Sequence, residues 1–245
     1  MITSVQNDKV KNWKKLQRRK ERKNTGTFLI EGYHLVEEAW KSEWTIREII
    51  VQQDVSVPAW CENYQVTVVG ENVFQYISET KTPQGIAAIV SFKEQPASIG
   101  NFVLLIDAIQ DPGNLGTIIR TADAAGFDAI ILGNGTVDVF NDKVIRATQG
   151  SIFHIPIFQE NLEERISILQ QEGFSIWATA LTNAKPYHTI EKPEKVALVL
   201  GNEGAGIKED IIRQADTIVN IPIYGEAESL NVSVAAGILM YHVKC

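Results

Sequence analysis

Cysteine is nearly absent from this 245-residue chain: only Cys61 and Cys245 occur, too few for a disulfide framework or a Cys-rich zinc site. Cys61 reads as a small hydrophobe and Cys245 as a chain end. The four histidines, His34, His154, His188 and His242, are scattered without metal-ligand spacing, so no metal is expected. No apolar run approaches the ~20 residues of a membrane span, and the first residues are charged where a secretory signal would be apolar. A soluble, cytoplasmic protein is expected. Internal repeats and low-complexity tracts are also missing. What is present is apolar material, 44% of residues, sufficient for one large domain or two ordinary ones.

The net charge of −7 argues against generic polyanion binding until it is divided along the chain. Residues 1–25 hold nine Lys/Arg against Asp8 and Glu21, a net of +7, which leaves −14 for the rest. A basic block on an acidic body is the asymmetry of a protein that meets nucleic acid with one face; a solvated basic helix would show the same pattern. From Gln6 to Lys23 the periodicity predicts a helix. Lys11, Lys14, Lys15, Arg18, Arg19 and Arg22 gather on one face of it as candidate nucleic-acid contacts, with Val10, Trp13 and Leu16 opposite.

After that helix, Phe28–Ile30 reads as a strand, Tyr33–Trp40 as a helix, and Arg47–Val51 and Val66–Val69 as strands. A helix over Val73–Ser78 and a strand over Gly85–Val90 complete a small α/β unit. The polar, Pro- and Gly-containing stretch from Phe92 to Gly100 reads as a linker, giving domains at 1–92 and 101–245 with 93–100 between them. In the second domain, strands are expected at Phe102–Ile106, Ala129–Leu132, Ile152–Phe158, Phe174–Ala180, Val196–Leu200 and Thr217–Ile221. Helices are expected at Leu115–Ala125, Asp142–Thr148, Leu162–Gln171, Lys208–Gln214 and Ser229–Tyr241. Short buried strands alternating with helices imply a mainly parallel sheet covered on both faces, Rossmann-like on physical grounds alone. The five tryptophans, Trp13, Trp40, Trp44, Trp60 and Trp177, are expected to pack rather than to stack on bases.

Gly201-Asn-Glu-Gly204-Ala-Gly206 follows a strand, where an α/β sheet binds its ligand. It is neither GxGxxG nor a P-loop, so a dinucleotide-dependent oxidoreductase lacks its fingerprint. Ile221-Pro-Ile marks a second strand end, and Ser229-Leu-Asn231 supplies residues that favour a helix cap. Arg120, in an otherwise apolar or small helical pattern, needs a partner: a sheet carboxylate or an anionic substrate.

Three stretches, Asn114-Leu-Gly-Thr-Ile-Ile-Arg120-Thr-Ala122, Leu200-Gly-Asn-Glu-Gly-Ala-Gly206 and Ile221-Pro-Ile-Tyr-Gly-Glu-Ala-Glu-Ser-Leu-Asn231, resemble in order and spacing the signature motifs of the SpoU/TrmH-type RNA 2′-O-ribose methyltransferases. These belong to the knotted SPOUT class. Phe28-Leu-Ile-Glu-Gly32 and Thr82-Pro-Gln-Gly-Ile86 resemble the substrate-binding domain that precedes many of them. The resemblance implies a deep C-terminal trefoil knot, a small ribosomal-protein-like α/β domain in front of it, and a homodimer. It also implies S-adenosylmethionine held by Gly201, Asn202, Gly204, Ile221, Pro222, Leu230 and Asn231. Catalysis would fall to Arg120, with Asn114, Glu203, Ser229 and Asn231 in or beside the site. Arg146 and Gln149-Gly-Ser151 also look familiar from this family, with structural, nucleotide-contacting and dimer roles all open. Ribosomal RNA is the first substrate expected, tRNA the second; a catalytically silent RNA-binding protein of the same fold is the rival.

Overall fold

The computed structural model describes residues 1–244; Cys245 lies outside the described residues. The chain divides into two compact units, Met1–Glu94 with Phe140–Phe153, and Gln95–Val139 with the chain from His154 onward.

In the first unit, α1 (Asp8–Lys15), α2 (Arg19–Thr25), β1 (Thr27–Glu31), α3 (Tyr33–Lys41), β2 (Ile46–Gln52), β3 (Val66–Val69), α4 (Glu71–Ile77) and β4 (Ile86–Ser91) follow one another. The sheet order is β1-β4-β2-β3. Strand β4 is antiparallel to both neighbours, while β2 and β3 run parallel. Val10, Trp13 and Leu16 pack on Ile50, Val73, Phe74 and Ile77, so the apolar face of α1 docks as the periodicity predicts. The Trp13 indole N–H donates to Glu48 at 3.2 Å, so this buried tryptophan keeps a polar partner.

The single helix expected from Gln6 to Lys23 does not form. The chain leaves α1 after Lys15, Arg18 is extended (φ −94°, ψ 128°), and α2 starts afresh at Arg19. The break has a physical cause at Arg22. This residue is 5% exposed and its guanidinium donates to the Leu16 carbonyl at 2.6 Å, satisfying an acceptor that a helix C-terminus leaves open. Arg22 is therefore removed from the surface set of candidate RNA contacts, and the six cations do not share one helix face. Lys14 is also engaged, 3.4 Å from Glu79 and above the Tyr76 ring. Lys11 lies 3.8 Å from Asp8, and Lys15, Arg18 and Arg19 are exposed.

The second unit is a seven-stranded sheet of order β7-β6-β5-β10-β8-β11-β9. Its strands are β5 (Phe102–Ile106), β6 (Ala129–Leu132), β7 (Ile157–Gln159), β8 (Ser175–Thr179), β9 (Lys185–Pro186), β10 (Val196–Leu200) and β11 (Thr217–Asn220), and every pairing is parallel. Helices α5 (Pro112–Ala124), α7 (Leu162–Gln171), α8 (Glu209–Gln214) and α9 (Val232–Lys244) belong to this unit. Helices α7 and α8 pack together over Val103, Leu105, Ile131, Ile176 and Val199, while α5 packs against α9. The sheet departs from a Rossmann order because β10 sits between β5 and β8, so the chain from β10 to β11 passes over a strand already in place. The strand expected at Ile152–Phe158 shrinks to β7, since Ser151–Phe153 is a short 3-10 turn.

Segment Phe140–Phe153 carries α6 (Asp142–Thr148) and clusters with the first unit, which differs from the division read in the sequence. Aromatic packing accounts for it: the Phe28 ring lies 4.6 Å from Phe140 and 6.5 Å from Phe153, and the Trp44 indole donates to the Phe153 carbonyl. Trp13, Trp44 and Trp177 are buried; Trp40, 36% exposed, stacks on Trp60 at 4.7 Å.

Candidate active site

The carboxyl ends of parallel strands are where an α/β sheet places its ligand; the second and third motif stretches begin at the ends of β10 and β11, and the first lies in α5, the helix that follows β5. After β5, Asp111 caps α5 by accepting the Asn114 amide at 2.8 Å, with Pro112 opening the helix. This cap orients the Asn114 side chain, which donates to Glu203 Oε1 at 3.1 Å and accepts from Asn231 Nδ2 at 3.0 Å. One residue from each motif thus meets in a chain of two hydrogen bonds.

Glu203 is the hub. Its carboxylate also accepts the amides of Asp111 at 3.1 Å and Gln110 at 3.3 Å. Burial pushes its pKa up, but the hydrogen bonds from the Asn114 side chain and from the amides of Glu203, Asp111 and Gln110 outweigh that and hold it below the ordinary carboxylate value. A carboxylate so loaded with donors is a fixed anion and a weak proton acceptor.

The loop after β10 is folded on itself. Asn202 and Gly206 exchange two backbone hydrogen bonds of 2.9 Å, and Asn202 Oδ1 accepts the amides of Gly204 and Ala205. Asn202 Nδ2 donates to the Ala108 carbonyl at 2.8 Å, so this side chain is spent on shaping the loop. A Cβ on Gly201 would stand 2.3 Å from the Gly206 carbonyl carbon. Gly201 is required by close backbone approach, and the positive φ of this loop falls at Gly206, at +71°. Gly204 has open space, with nothing nearer than Asn202 Oδ1 at 3.8 Å.

Ile221 and Pro222 follow β11 half-buried, while Ser229 and Leu230 are exposed. From Pro222 to Leu230 there is no helix or strand, and among the described residues the amides of this loop make no hydrogen bond to protein. Asn231 does cap the last helix, its Oδ1 accepting from the Ser233 amide and hydroxyl at 2.9 and 2.6 Å; Ser229 takes no part. Arg120 stands six residues along α5 from Asn114, exposed, with no hydrogen bond or ion pair among the described residues. The sheet carboxylate weighed as its partner is not there.

Sequence reasoning missed Asp107. It ends an apolar strand and no pattern marks it, yet its side chain is 1% exposed, accepts the Lys208 amide at 2.8 Å and lies 3.3 Å from Lys208 Nζ. It therefore pins the far end of the Gly201–Ile207 loop to β5. In the first unit, His34, Glu37 and Glu38 bring ligand-type atoms within 4.8 Å of one another. Lys41 lies 3.2 and 3.9 Å from the two carboxylates, and His34 Nε2 is 3.0 Å from the Gln149 carbonyl.

Residues 101–241 match the SpoU rRNA Methylase family, and residues 7–88 match the MRM3-like substrate binding domain. Over 244 residues the chain is 50% identical to the 23S rRNA (guanosine(2553)-2'-O)-methyltransferase RlmP of Bacillus subtilis (strain 168), covering 99% of this chain and 98% of that one. The AdoMet-bound rRNA methyltransferase from Sinorhizobium meliloti superposes with a TM-score of 0.89 at 35% identity, covering 99% and 96% of the two chains. A putative RNA methyltransferase of the TrmH family from Porphyromonas gingivalis gives a TM-score of 0.87 at 30% identity over 98% of each chain. All three loops joined through Asn114, Glu203 and Asn231 fall inside the matched region, and the chain belongs to the SpoU rRNA methylase family.

Proposed function

We propose that the acceptor is the ribose 2′-hydroxyl of a guanosine in 23S rRNA, as the name of the Bacillus subtilis relative states for that protein. The protein is an S-adenosylmethionine-dependent RNA 2′-O-ribose methyltransferase. The observation that carries the site assignment is the Asn114–Glu203–Asn231 joint, which holds three strand-end loops together, with Arg120 six residues further along the helix that carries Asn114.

The residues present fit the cofactor. The loop from Pro222 to Leu230 offers unpaired main-chain groups, and Gly201 keeps the neighbouring loop tight. Gly201, Gly204, Ile221, Pro222 and Leu230 would hold the cofactor, with Asn202 shaping their loop. Bound S-adenosylmethionine supplies an electrophilic methyl group on a sulfonium. Arg120 clamps the phosphate of the target nucleotide and stabilises negative charge growing on the 2′ oxygen, as oxyanion-type catalysis requires. A guanidinium, with a pKa above about 12, is a poor general base. Asn114 and Glu203 orient the loops, Asn231 links them to α9, and Ser229 faces the nucleotide or the cofactor carboxylate.

Residues 1–92 select the RNA through a ribosomal-protein-like domain, and 101–245 transfer the methyl group. We infer a trefoil knot at the C-terminus, supported by the placement of β10 between β5 and β8. We also infer a cytoplasmic homodimer, supported by exposed Leu230, Val234 and Tyr241 at and along α9.

The test is methylation of 23S rRNA from a deletion strain by the purified protein with labelled S-adenosylmethionine, the site mapped by reverse transcription and tRNA included as a second acceptor. Label in tRNA alone would refute the substrate. Arg120→Ala and Arg120→Lys should both lose most transfer while cofactor affinity persists, because Lys lacks the planar fork of a bidentate clamp. Near-normal turnover with Lys would refute the clamp.

A further inference from the structure

The first unit holds a cavity of about 190 Å³ that lies outside the candidate active site and is lined only by residues of that unit. Its lining is mixed: Leu29 on β1, Ile77 at the end of α4 and Phe140 ahead of α6 give apolar faces, and Arg22, Glu31, Glu79, Asp142 and Arg146 bring charged groups. The rim is polar. Arg146 Nη1 donates to Asp142 Oδ2 at 2.6 Å, and Glu79 lies 3.4 Å from Lys14. A guanidinium has five N–H donors and a carboxylate about four acceptor positions, so the Arg146–Asp142 pair retains a donor beside an acceptor to offer a ligand.

Size and charge narrow the occupant. The cavity falls below the ~300 Å³ at which drug-sized sites begin. One planar ring system fits; a whole cofactor does not. Leu16 and Gln17, also on its lining, form the turn between α1 and α2. The exposed cations Lys15 and Arg18 border that turn, so part of the basic block adjoins this side of the lining. A nucleobase has two apolar faces and an edge of alternating donors and acceptors, matching these walls and this rim. Proteins read unpaired RNA by taking up splayed-out bases in this manner.

We infer that this cavity receives one unpaired base of the RNA substrate, with the phosphates on either side met by Lys15 and Arg18. The inference rests on the RNA-methylating reading above and adds a recognition subsite to it. It gives segment Phe140–Phe153 a function: α6 supplies the polar rim of a pocket otherwise built from the N-terminal residues.

The probe is a single-stranded RNA dodecamer carrying one 2-aminopurine, titrated with the full-length protein. The emission of this base is quenched by stacking on neighbouring bases, so removal from the strand into the cavity should raise it on binding. Leu29→Phe, which extends a ring into the cavity, should abolish the rise and weaken binding about tenfold, with unchanged S-adenosylmethionine affinity. Arg146→Met removes the rim donor without filling the cavity and should act in the same direction, so the inference stays testable if Leu29→Phe does not fold. Quenched or unchanged emission on binding to the wild type, as stacking on the exposed Trp40 would produce, overturns the inference. Wild-type behaviour in a folded Leu29→Phe or in Arg146→Met overturns it too, as does failure of the wild type to bind the dodecamer. Methylation of 23S rRNA by the same preparation separates the two claims: transfer with no emission rise refutes the base pocket alone, and absence of transfer refutes the function beneath it.

Discussion

Replacing Gly201 by alanine places a methyl group where the backbone of the same loop already lies. The new Cβ would stand 2.3 Å from the Gly206 carbonyl carbon, 2.4 Å from the Ile207 nitrogen and 2.6 Å from the Gly206 oxygen, against 3.4 Å at the near limit of ordinary contact. No flexible side-chain end can swing away, so the two arms of the loop must part by about 1 Å. The reciprocal Asn202–Gly206 hydrogen bonds, both 2.9 Å, then exceed bonding distance. At about 0.5–1.5 kcal/mol net for each, the loss is about 1–3 kcal/mol. If the loop stays closed, the loss appears in the urea midpoint. If it relaxes open, the cofactor must close it again, and affinity falls about 5- to 150-fold by the relation of ~1.4 kcal/mol per tenfold. Glu203 rides on this loop, so its contact with Asn114 shifts as well. Calorimetric titration with S-adenosylmethionine and urea denaturation of the same protein together capture both outcomes. Gly225→Ala is the steric control, since nothing lies within 4 Å of its Cβ position. Unchanged affinity and unchanged stability in Gly201→Ala would refute the reasoning.

Trp13→Ala should destabilise the protein by about 3–5 kcal/mol in chemical denaturation, because the indole is 5% exposed and bonded to Glu48. Arg22→Ala should lower stability but leave the salt dependence of RNA binding unaltered, since its guanidinium caps Leu16. Lys15→Gln combined with Arg18→Gln should flatten the log-log salt slope for single-stranded RNA by about 1.4, at about 0.7 per phosphate contact; an unaltered slope would mark these residues as merely solvated. Burial, aided by the nearby Lys192, pushes the His242 pKa down. Its neutral form is thus favoured in the folded state while the unfolded chain binds a proton at about 6.5. Stability should be undiminished above that pH and fall as pH drops below it, and His242→Phe should remove this part of the pH dependence.

The strands of the second unit were legible because a parallel sheet buried on both faces demands continuous apolar runs. Phe102–Ile106, Ala129–Leu132 and Val196–Leu200 have the bounds read from the sequence. Helices α6 and α7, each opened by an Asn cap, do as well. The basic helix was not legible in full: cation spacing favours one long helix, and only the folded chain brings Arg22 back to the Leu16 carbonyl. The strand expected from Ile152 failed for a similar reason, since Gln149 and Gly150 adopt positive φ and turn the chain first. Asp107 carried no signal because its role depends on the amide of a residue 101 positions away.

The sequence determined the strands and caps by local chemistry, and marked Asn114, Arg120, Glu203 and Asn231 as a candidate constellation only through its resemblance to the SpoU/TrmH motifs. It could not determine their contacts, because Asn114 meets Glu203 and Asn231 across separations of 89 and 117 residues. Those contacts exist because β10 enters the sheet beside β5, which sets the loop after Leu200 against the start of α5. Strand order is decided by the packing of the whole unit and not by any local pattern. Tertiary structure likewise assigned Phe140–Phe153 to the first unit, where the aromatic rings around Phe28 bury more apolar surface than a local motif can announce.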